Sequence, residues 1–312
     1  MMELYGQQAE LRLLSGALAH LELPTMIDVG AERGALADAM LAAGLERLHA
    51  FDPAPENAEA LRARFGGDAR VGVHECAIGE GDGQASLHIS SRPDGSPLPF
   101  GHTLLEREDT DEIAWRDTVT VPLRSLGSLI QSGDLPARVG ILKVDAEGHD
   151  LAVIRGMGTL AAELVMVEHW KELPHGLGRC PWAAQDMLAE LRPRGFAHFA
   201  FVVHRGELVT LKWDDAEVEP GAMGNLIFVH DSVLAPLAPV LLALAGQLAE
   251  QAVAVAQGYM RAAEERLAVL GVVERAAEER RVALERTTAR MHEQGRELRS
   301  MREGSGGDPA DA

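Results

Sequence analysis

Apolar residues along this chain come in short runs that end on polar residues, and these runs alternate with segments of helical period. Met26 to Val29 reads as a buried strand, Gly30-Ala31-Glu32-Arg33-Gly34 as a tight turn, and Ala35, Leu36, Met40 and Leu41 as the apolar side of a helix. A second run, His49-Ala50-Phe51, ends on Asp52, and Pro55 to Phe65 then sets Ala58, Leu61 and Phe65 on one helix face. Val71 to Ile78 reads as a third strand, with Gly81-Asp82-Gly83 as a hairpin turn into Gln84 to Ser90. Thr118 to Leu123 is extended and Leu126 to Ile130 is a short helix. Val139 to Val144 and Val165 to His169 are further core strands. Trp182 to Leu191 has helical period. Phe196 to Val203 and Glu207 to Lys212 form a hairpin across His204-Arg205-Gly206, and Leu226 to His230 is a last strand. Such alternation predicts an α/β domain with a mostly parallel sheet and an antiparallel C-terminal hairpin.

Three segments lie outside that rhythm. Leu4, Leu11, Leu14, Leu18 and Leu21 recur at helical spacing before Pro24, which predicts an N-terminal helix over residues 1–24. Ser91 to Asp117, with Pro93, Gly95, Pro97, Pro99 and Gly101, is a long connection of irregular structure. It either folds over the site, bringing Phe100, His102 or Trp115 to a substrate, or is a surface insertion. From Leu237, a stripe through Leu241, Leu244, Leu248, Ala252, Val255, Tyr259, Ala263, Leu267, Leu270, Val273 and Ala277 repeats at about 3.6 residues. Arg and Glu then alternate on a solvated face, with Leu284, Met291 and Leu298 as a thinner seam. The predicted organisation is a helix at 1–24, an α/β domain at 25–231, a long helix or coiled coil at 232–303 and a disordered tail at 304–312. Self-association would bury the stripe, and packing back on the α/β domain is the alternative for its first half. A membrane span over Val233 to Ala256 is disfavoured by Pro236, Pro239, Gln247, Glu250 and Gln251.

In an open parallel sheet, ligands bind beyond the carboxyl ends of the strands. Asp28, Asp52, Asp145, Glu147, Glu168 and His169 all fall at or just after such ends. An acid at Asp52 is placed to hydrogen-bond the hydroxyls of a ribose. The turn Asp28-x-Gly30-x-x-x-Gly34 lacks one glycine of the G-x-G-x-x-G pattern that brings backbone close to a pyrophosphate, and it carries an acid on its strand. S-adenosylmethionine, which has an amino-acid end and no phosphate, suits this turn better than NAD. An alcohol acceptor would need a base, for which His149 and His169 are candidates, oriented by Asp145 or Glu168. Glu147 has a second reading as a first-turn helix acid. The set Asp145, Glu147, His149, Glu168 and His169 also contains the donor types of a divalent metal site, although the expected site holds no metal.

Asp28-Val29-Gly30-Ala31, the segment Glu75-Cys76-Ala77-Ile78-Gly79-Glu80-Gly81-Asp82-Gly83, and above all Lys143-Val144-Asp145-Ala146-Glu147-Gly148-His149-Asp150 with the later Glu168 resemble the FkbM family of S-adenosylmethionine-dependent methyltransferases. The resemblance covers about Thr25 to His230. It implies a class I, Rossmann-like methyltransferase fold and O-methylation of a hydroxyl on a sugar, glycan or secondary metabolite. It also implies cofactor contacts from Asp28, Gly30, Ala31, Glu32, Gly34, Asp52, Ala77 and Asp145. Glu32 stands where the family often has Asn, and Asp52 where it often has Glu. The alternatives are a catalytically weak scaffold that oligomerises through the C-terminal helix, and a nucleotide-cofactor oxidoreductase.

Composition narrows the partners. A formal charge of −19 argues against nucleic acid, whose binders concentrate basic charge on one face. Cys76 and Cys180 have no metal-like spacing and fit a reducing compartment. Glu3, Glu10, Arg12 and Glu22 interrupt Met1 to Leu23, which is unlike a signal peptide, so the expected location is the cytoplasm.

Overall fold

The structure is a computed structural model that describes residues 8–173, 178–205 and 208–258, together with positions 260–261, 278, 280–282 and 285. Leu4, the 206–207 turn and most of the stripe and tail beyond Gly258 lie outside the described residues. The chain divides into two compact units, Met1–Ala252 and Val253–Ala312.

The first unit is built on an eight-stranded sheet. Five strands, β1 (Thr25–Val29), β2 (Arg47–Phe51), β3 (Val71–His74), β7 (Arg138–Val144) and β8 (Ala161–Trp170), run parallel to their neighbours within this group. After β8 the short strands β9 (Glu172–Leu173) and β10 (Gly178–Arg179) pair in a sheet of their own, and β13 (Met223–Val229) is antiparallel to β8 and lies between it and the hairpin of β11 (His198–Arg205) and β12 (Leu208–Trp213). The order is β12-β11-β13-β8-β7-β1-β2-β3. The sheet is thus mostly parallel with an antiparallel C-terminal part, the fold class expected from the sequence.

Alternation along the strands sorts the core into two layers. Ile27, Val29, Leu142, Val144, Val165 and Val167 face α4 (Leu126–Ser132), α5 (Asp150–Arg155) and α6 (Ala184–Leu191). Met26, Leu48, Ile141, Leu164 and Met166 face the other way, toward α1 (Gln8–Ala17), α2 (Ala35–Ala42) and α3 (Pro55–Phe65). The helix α7 (Asp231–Gly258) completes this second layer: Val233, Leu237, Leu241, Leu244 and Leu248 are buried with Leu13 and Leu14 of α1. The first part of the apolar stripe therefore packs back on the α/β core. Among the described residues α7 is one helix long and apolar enough to cross a membrane by length and composition.

Two local expectations change. The run Val71 to Ile78 is not one strand, because β3 stops at His74 and β4 (Ala77–Ile78) enters a separate small sheet. In that sheet β5 (Gly83–Ser91) pairs with β6 (Ala114–Arg124) from Gly83↔Leu123 to Ser91↔Ala114, while β4 lies on the far side of β6. Gly81 to Gly83 is therefore not a hairpin turn, since two residues of β4 offer too short a partner for nine. The long connection after Ser91 is instead the hairpin loop between β5 and β6.

In the second unit, Arg281 pairs with Glu278 at 2.6 Å and with Glu285 at 2.5 Å, the i,i+3 and i,i+4 spacings of a charged helix face.

Candidate active site

The first turn of the cofactor motif is shaped by positive backbone angles. Gly30, Glu32 and Gly34 have φ of 77°, 50° and 81°. A Cβ on Gly30 would stand 1.9 Å from the carbonyl oxygen of Asp145, so this position has room only for hydrogen. The Gly30 and Ala31 amides both donate to the carbonyl of Phe51, at 2.9 and 3.0 Å, which ties the turn to the end of β2. Gly34 caps the start of α2.

Beneath the turn lies a buried charge cluster. Lys143 Nζ is 3.1 Å from Asp28 Oδ1 and 3.5 Å from Asp145 Oδ2, and it donates to the carbonyl of Gly30 at 2.7 Å. Burial opposes the Lys143 charge, but Asp28 and Asp145 outweigh it and raise the ammonium above its ordinary range. Burial also raises Asp28, with Lys143 pulling the other way. Register alone brings the pair together, because Asp28 and Lys143 are direct neighbours across β1 and β7.

Asp52 sits at the rim of β2 with both oxygens engaged. Oδ2 accepts from the Glu32 amide at 2.9 Å, and Oδ1 accepts from the Ala54 amide at 2.9 Å and from Asn57 Nδ2 at 3.3 Å. Burial lifts its carboxyl to about 6 against these hydrogen bonds. Three donors still leave acceptor capacity on a carboxylate, which has about four lone-pair sites.

These groups border one cleft. Its walls include Gly30, Glu32, Phe51, Asp52, Asn57, Cys76, Ala77, Ile78, Asp145, Glu147 and His149. Pro99, Phe100, Gly101, His102 and Leu104 of the β5–β6 loop close it from above. Thr103 Oγ1 and the Arg107 guanidinium donate to the carbonyl of Glu147 at 3.0 and 3.2 Å, so the loop is fastened to the end of β7. Glu147 has φ 51°. Its carboxyl is pushed up to about 8, first by burial and then by Asp145 and Asp150, with Arg107 and the Gly101 amide opposing. Asp150 accepts from the amides of Ala146 at 2.9 Å and Gly148 at 3.1 Å, and this fixes the turn that carries Glu147.

The predicted site residues divide into three groups. Gly30, Glu32, Asp52, Ala77, Asp145, Glu147 and His149 line the cleft. Asp28, Ala31 and Gly34 lie behind it and hold the turn. Glu168 and His169 are not among the lining residues. Successive residues of β8 point to opposite faces. Glu168, whose carboxyl is raised well above its ordinary range by burial and by the carboxylates of Asp145, Glu147 and Asp150, hydrogen-bonds Asp145. His169 goes the other way, into the core, with ring centroids 4.7 Å from Trp182 and 5.9 Å from Phe201. Burial lowers its pKa to about 4. That position turns His169 away from the cleft, unlike the expectation that it reaches the acceptor. Trp115 is likewise structural, since it is buried and its Nε1 donates to the carbonyl of Gly101 at 2.8 Å. His149 remains in the wall, neutral because burial lowers its pKa. Its Nε2 has no hydrogen-bond partner. Among the described residues, no group of three or more His, Cys, Asp or Glu is arranged to hold a metal ion.

Sequence reasoning missed Asn57, Thr103, Arg107 and Asp150 as parts of the site. Of these only Asp150 carried a local signal, an acid in the first turn of a helix following the strand-end motif.

No curated protein matches the sequence. Solved structures similar to this chain include precorrin-6y C5,15-methyltransferase from Geobacter metallireducens, at 12% identity over 69% of this chain and 87% of that one, with a TM-score of 0.35. The methyltransferase domain of bacterial CtHen1 has 12% identity over 72% and 98%, with a TM-score of 0.38. The N-terminal domain of EvdMO1, solved in the presence of SAH and D-fucose, has 8% identity over 72% and 83%, with a TM-score of 0.37. The family model of the methyltransferase FkbM domain matches residues 28–196, more than half of the chain and all of the cleft-lining elements. On that match the chain belongs to the FkbM methyltransferase family.

Proposed function

We propose that this methyltransferase uses S-adenosylmethionine to methylate a hydroxyl oxygen of a neutral sugar, glycan or secondary metabolite. The observation that carries the reading is the cleft in which Gly30, Asp52, Ala77, Asp145, Glu147 and His149 share one wall system. The residues fit the cofactor. Gly30 offers bare backbone, Asp52 keeps acceptor capacity for a ribose hydroxyl, and Phe51, Cys76, Ile78 and Leu87 supply an apolar lining for a base. Asp145, paired with Lys143 and hydrogen-bonded to Glu168, would face an ammonium.

When bound, S-adenosylmethionine supplies a methyl group made electrophilic by its sulfonium. The chain has to align the acceptor and take its proton. Glu147, with a carboxyl near 8, and the neutral His149 are the two lining groups suited to accept that proton. A base with a pKa close to the working pH is the efficient choice. Glu32, Asp52 and Asp145 make the lining acidic, which favours a neutral hydroxyl over a phosphorylated acceptor.

The test is incubation with methyl-labelled S-adenosylmethionine and two acceptor panels, neutral sugars and phosphorylated sugars, read by mass spectrometry. Methyl ethers on neutral acceptors are expected, and Glu147→Gln or His149→Ala should lower their formation about 100-fold in whichever residue is the base. Methylation confined to the phosphorylated sugars would contradict the reading.

A further inference from the structure

Three consecutive carbonyls in the loop above the cleft are each held by a side chain. Asn57 Nδ2 donates to Pro99 O at 2.9 Å, Ser90 Oγ to Phe100 O, and Trp115 Nε1 to Gly101 O at 2.8 Å. Ser90 and Trp115 belong to β5 and β6, the strands that carry the loop. Asn57 does not. It stands on α3, is 2% exposed, lines the cleft, and gives its amide also to Asp52 Oδ1 at 3.3 Å. Two acceptors on the nitrogen fix which way the amide faces, and its Oδ1 is left buried with no partner. One small, buried amide thus joins the cofactor-side acid to the loop.

We propose that Asn57 is a positioning residue that couples filling of the cleft at Asp52 to the hold on the loop at residues 99–104. The inference rests on the S-adenosylmethionine reading. A ligand drawn to Asp52 orders that carboxylate, the carboxylate orders the Asn57 amide, and the amide holds Pro99 over the ligand. Coupling of this kind is reciprocal, so a loop that tightens on the ligand must also raise the ligand's affinity. Ser90 provides the contrast. It holds the neighbouring carbonyl with no contact to Asp52, so it should set the loop's baseline order without sensing the ligand.

The experiment is hydrogen exchange of the backbone amides of residues 100–104 in the full chain, with and without saturating S-adenosylhomocysteine. It is run on the wild type, Asn57→Ala, the isosteric Asn57→Asp and the control Ser90→Ala. In the wild type the ligand should slow exchange by about fivefold or more. Both Asn57 variants should lose that slowing and bind about fivefold or more weakly. Ser90→Ala should exchange faster in both states yet keep the ligand-dependent slowing. Persistence of the slowing in either folded Asn57 variant overturns the coupling. So does a wild type that binds the ligand with no change in the loop, a result that leaves the cofactor reading intact. A wild type that does not bind at all overturns the cofactor reading and the coupling with it.

Discussion

Lys143 Nζ lies 3.1 Å from Asp28 Oδ1, with the two side chains only 6% and 1% exposed. The same ammonium donates to the carbonyl of Gly30. The turn that floors the cleft therefore rests on a buried ion pair set by strand register. Removing one partner of such a pair leaves an uncompensated charge, a loss of about 3–5 kcal/mol. Lys143→Met should show that loss in urea unfolding. The double variant Asp28→Leu with Lys143→Met should regain most of the stability, because an apolar pair replaces the ionic one, yet bind cofactor poorly because Gly30 has lost its donor. A wild-type unfolding midpoint for Lys143→Met would contradict this role.

Stability should fall as pH rises from about 6.5 to about 8. Glu147 is raised from 4.5 to about 8, so the folded chain holds a proton that the unfolded chain has released. Stability contributed by that proton is lost through this window. Asp52 and Asp150, raised to about 6, act in the same direction at lower pH. His49, His102 and His169, each lowered to about 4, act oppositely below 6.5 and are silent above it. Thermal unfolding across pH 6.5 to 8 should therefore show a decline, and Glu147→Gln should remove about 1 kcal/mol of it. A decline of the same size in Glu147→Gln would show that Glu147 is not the group responsible.

The rim of the site was legible because an apolar strand that ends on a polar residue delivers that residue to the sheet's carboxyl edge. Asp52, Asp145 and Glu147 follow this rule, while Asp28, one residue before the end of β1, lies behind the cleft. Period-two alternation also implies that Glu168 and His169 diverge. Which of them faces Asp145 depends on the neighbouring strand and on Trp182, and neither is encoded in the local run. The run Val71 to Ile78 is interrupted only by His74 and Glu75, where its backbone leaves the main sheet, and a two-residue polar step is too short to mark the division by pattern alone. Asn57 reaches Pro99 across 42 residues of chain and Arg107 reaches Glu147 across 40, contacts with no periodic trace. The C-terminal stripe has one period whether its partner is another chain or the α/β core.

That last ambiguity leads to a pair of truncations. Ending the chain at His230 would strip Val233, Leu237, Leu241, Leu244 and Leu248 from the core, each worth about 1.5–3 kcal/mol of burial. This form should aggregate or unfold. We propose that the stripe beyond Gly258 carries self-association. Ending the chain at Gly258 should then leave a folded monomer by light scattering while the full chain is oligomeric. A monomeric full chain would contradict the proposal.

Calorimetric titration of S-adenosylhomocysteine into the full chain, with Asp52→Ala as the comparison and NAD as the competing ligand, reads cofactor binding at the cleft itself. One site per chain is expected, with no heat from NAD and with binding weakened by about 1.5–3 kcal/mol in Asp52→Ala, the loss usual for hydrogen bonds to a charged group. A folded wild type that gives no heat with S-adenosylhomocysteine, or an Asp52→Ala variant that binds as tightly as the wild type, would contradict the S-adenosylmethionine reading.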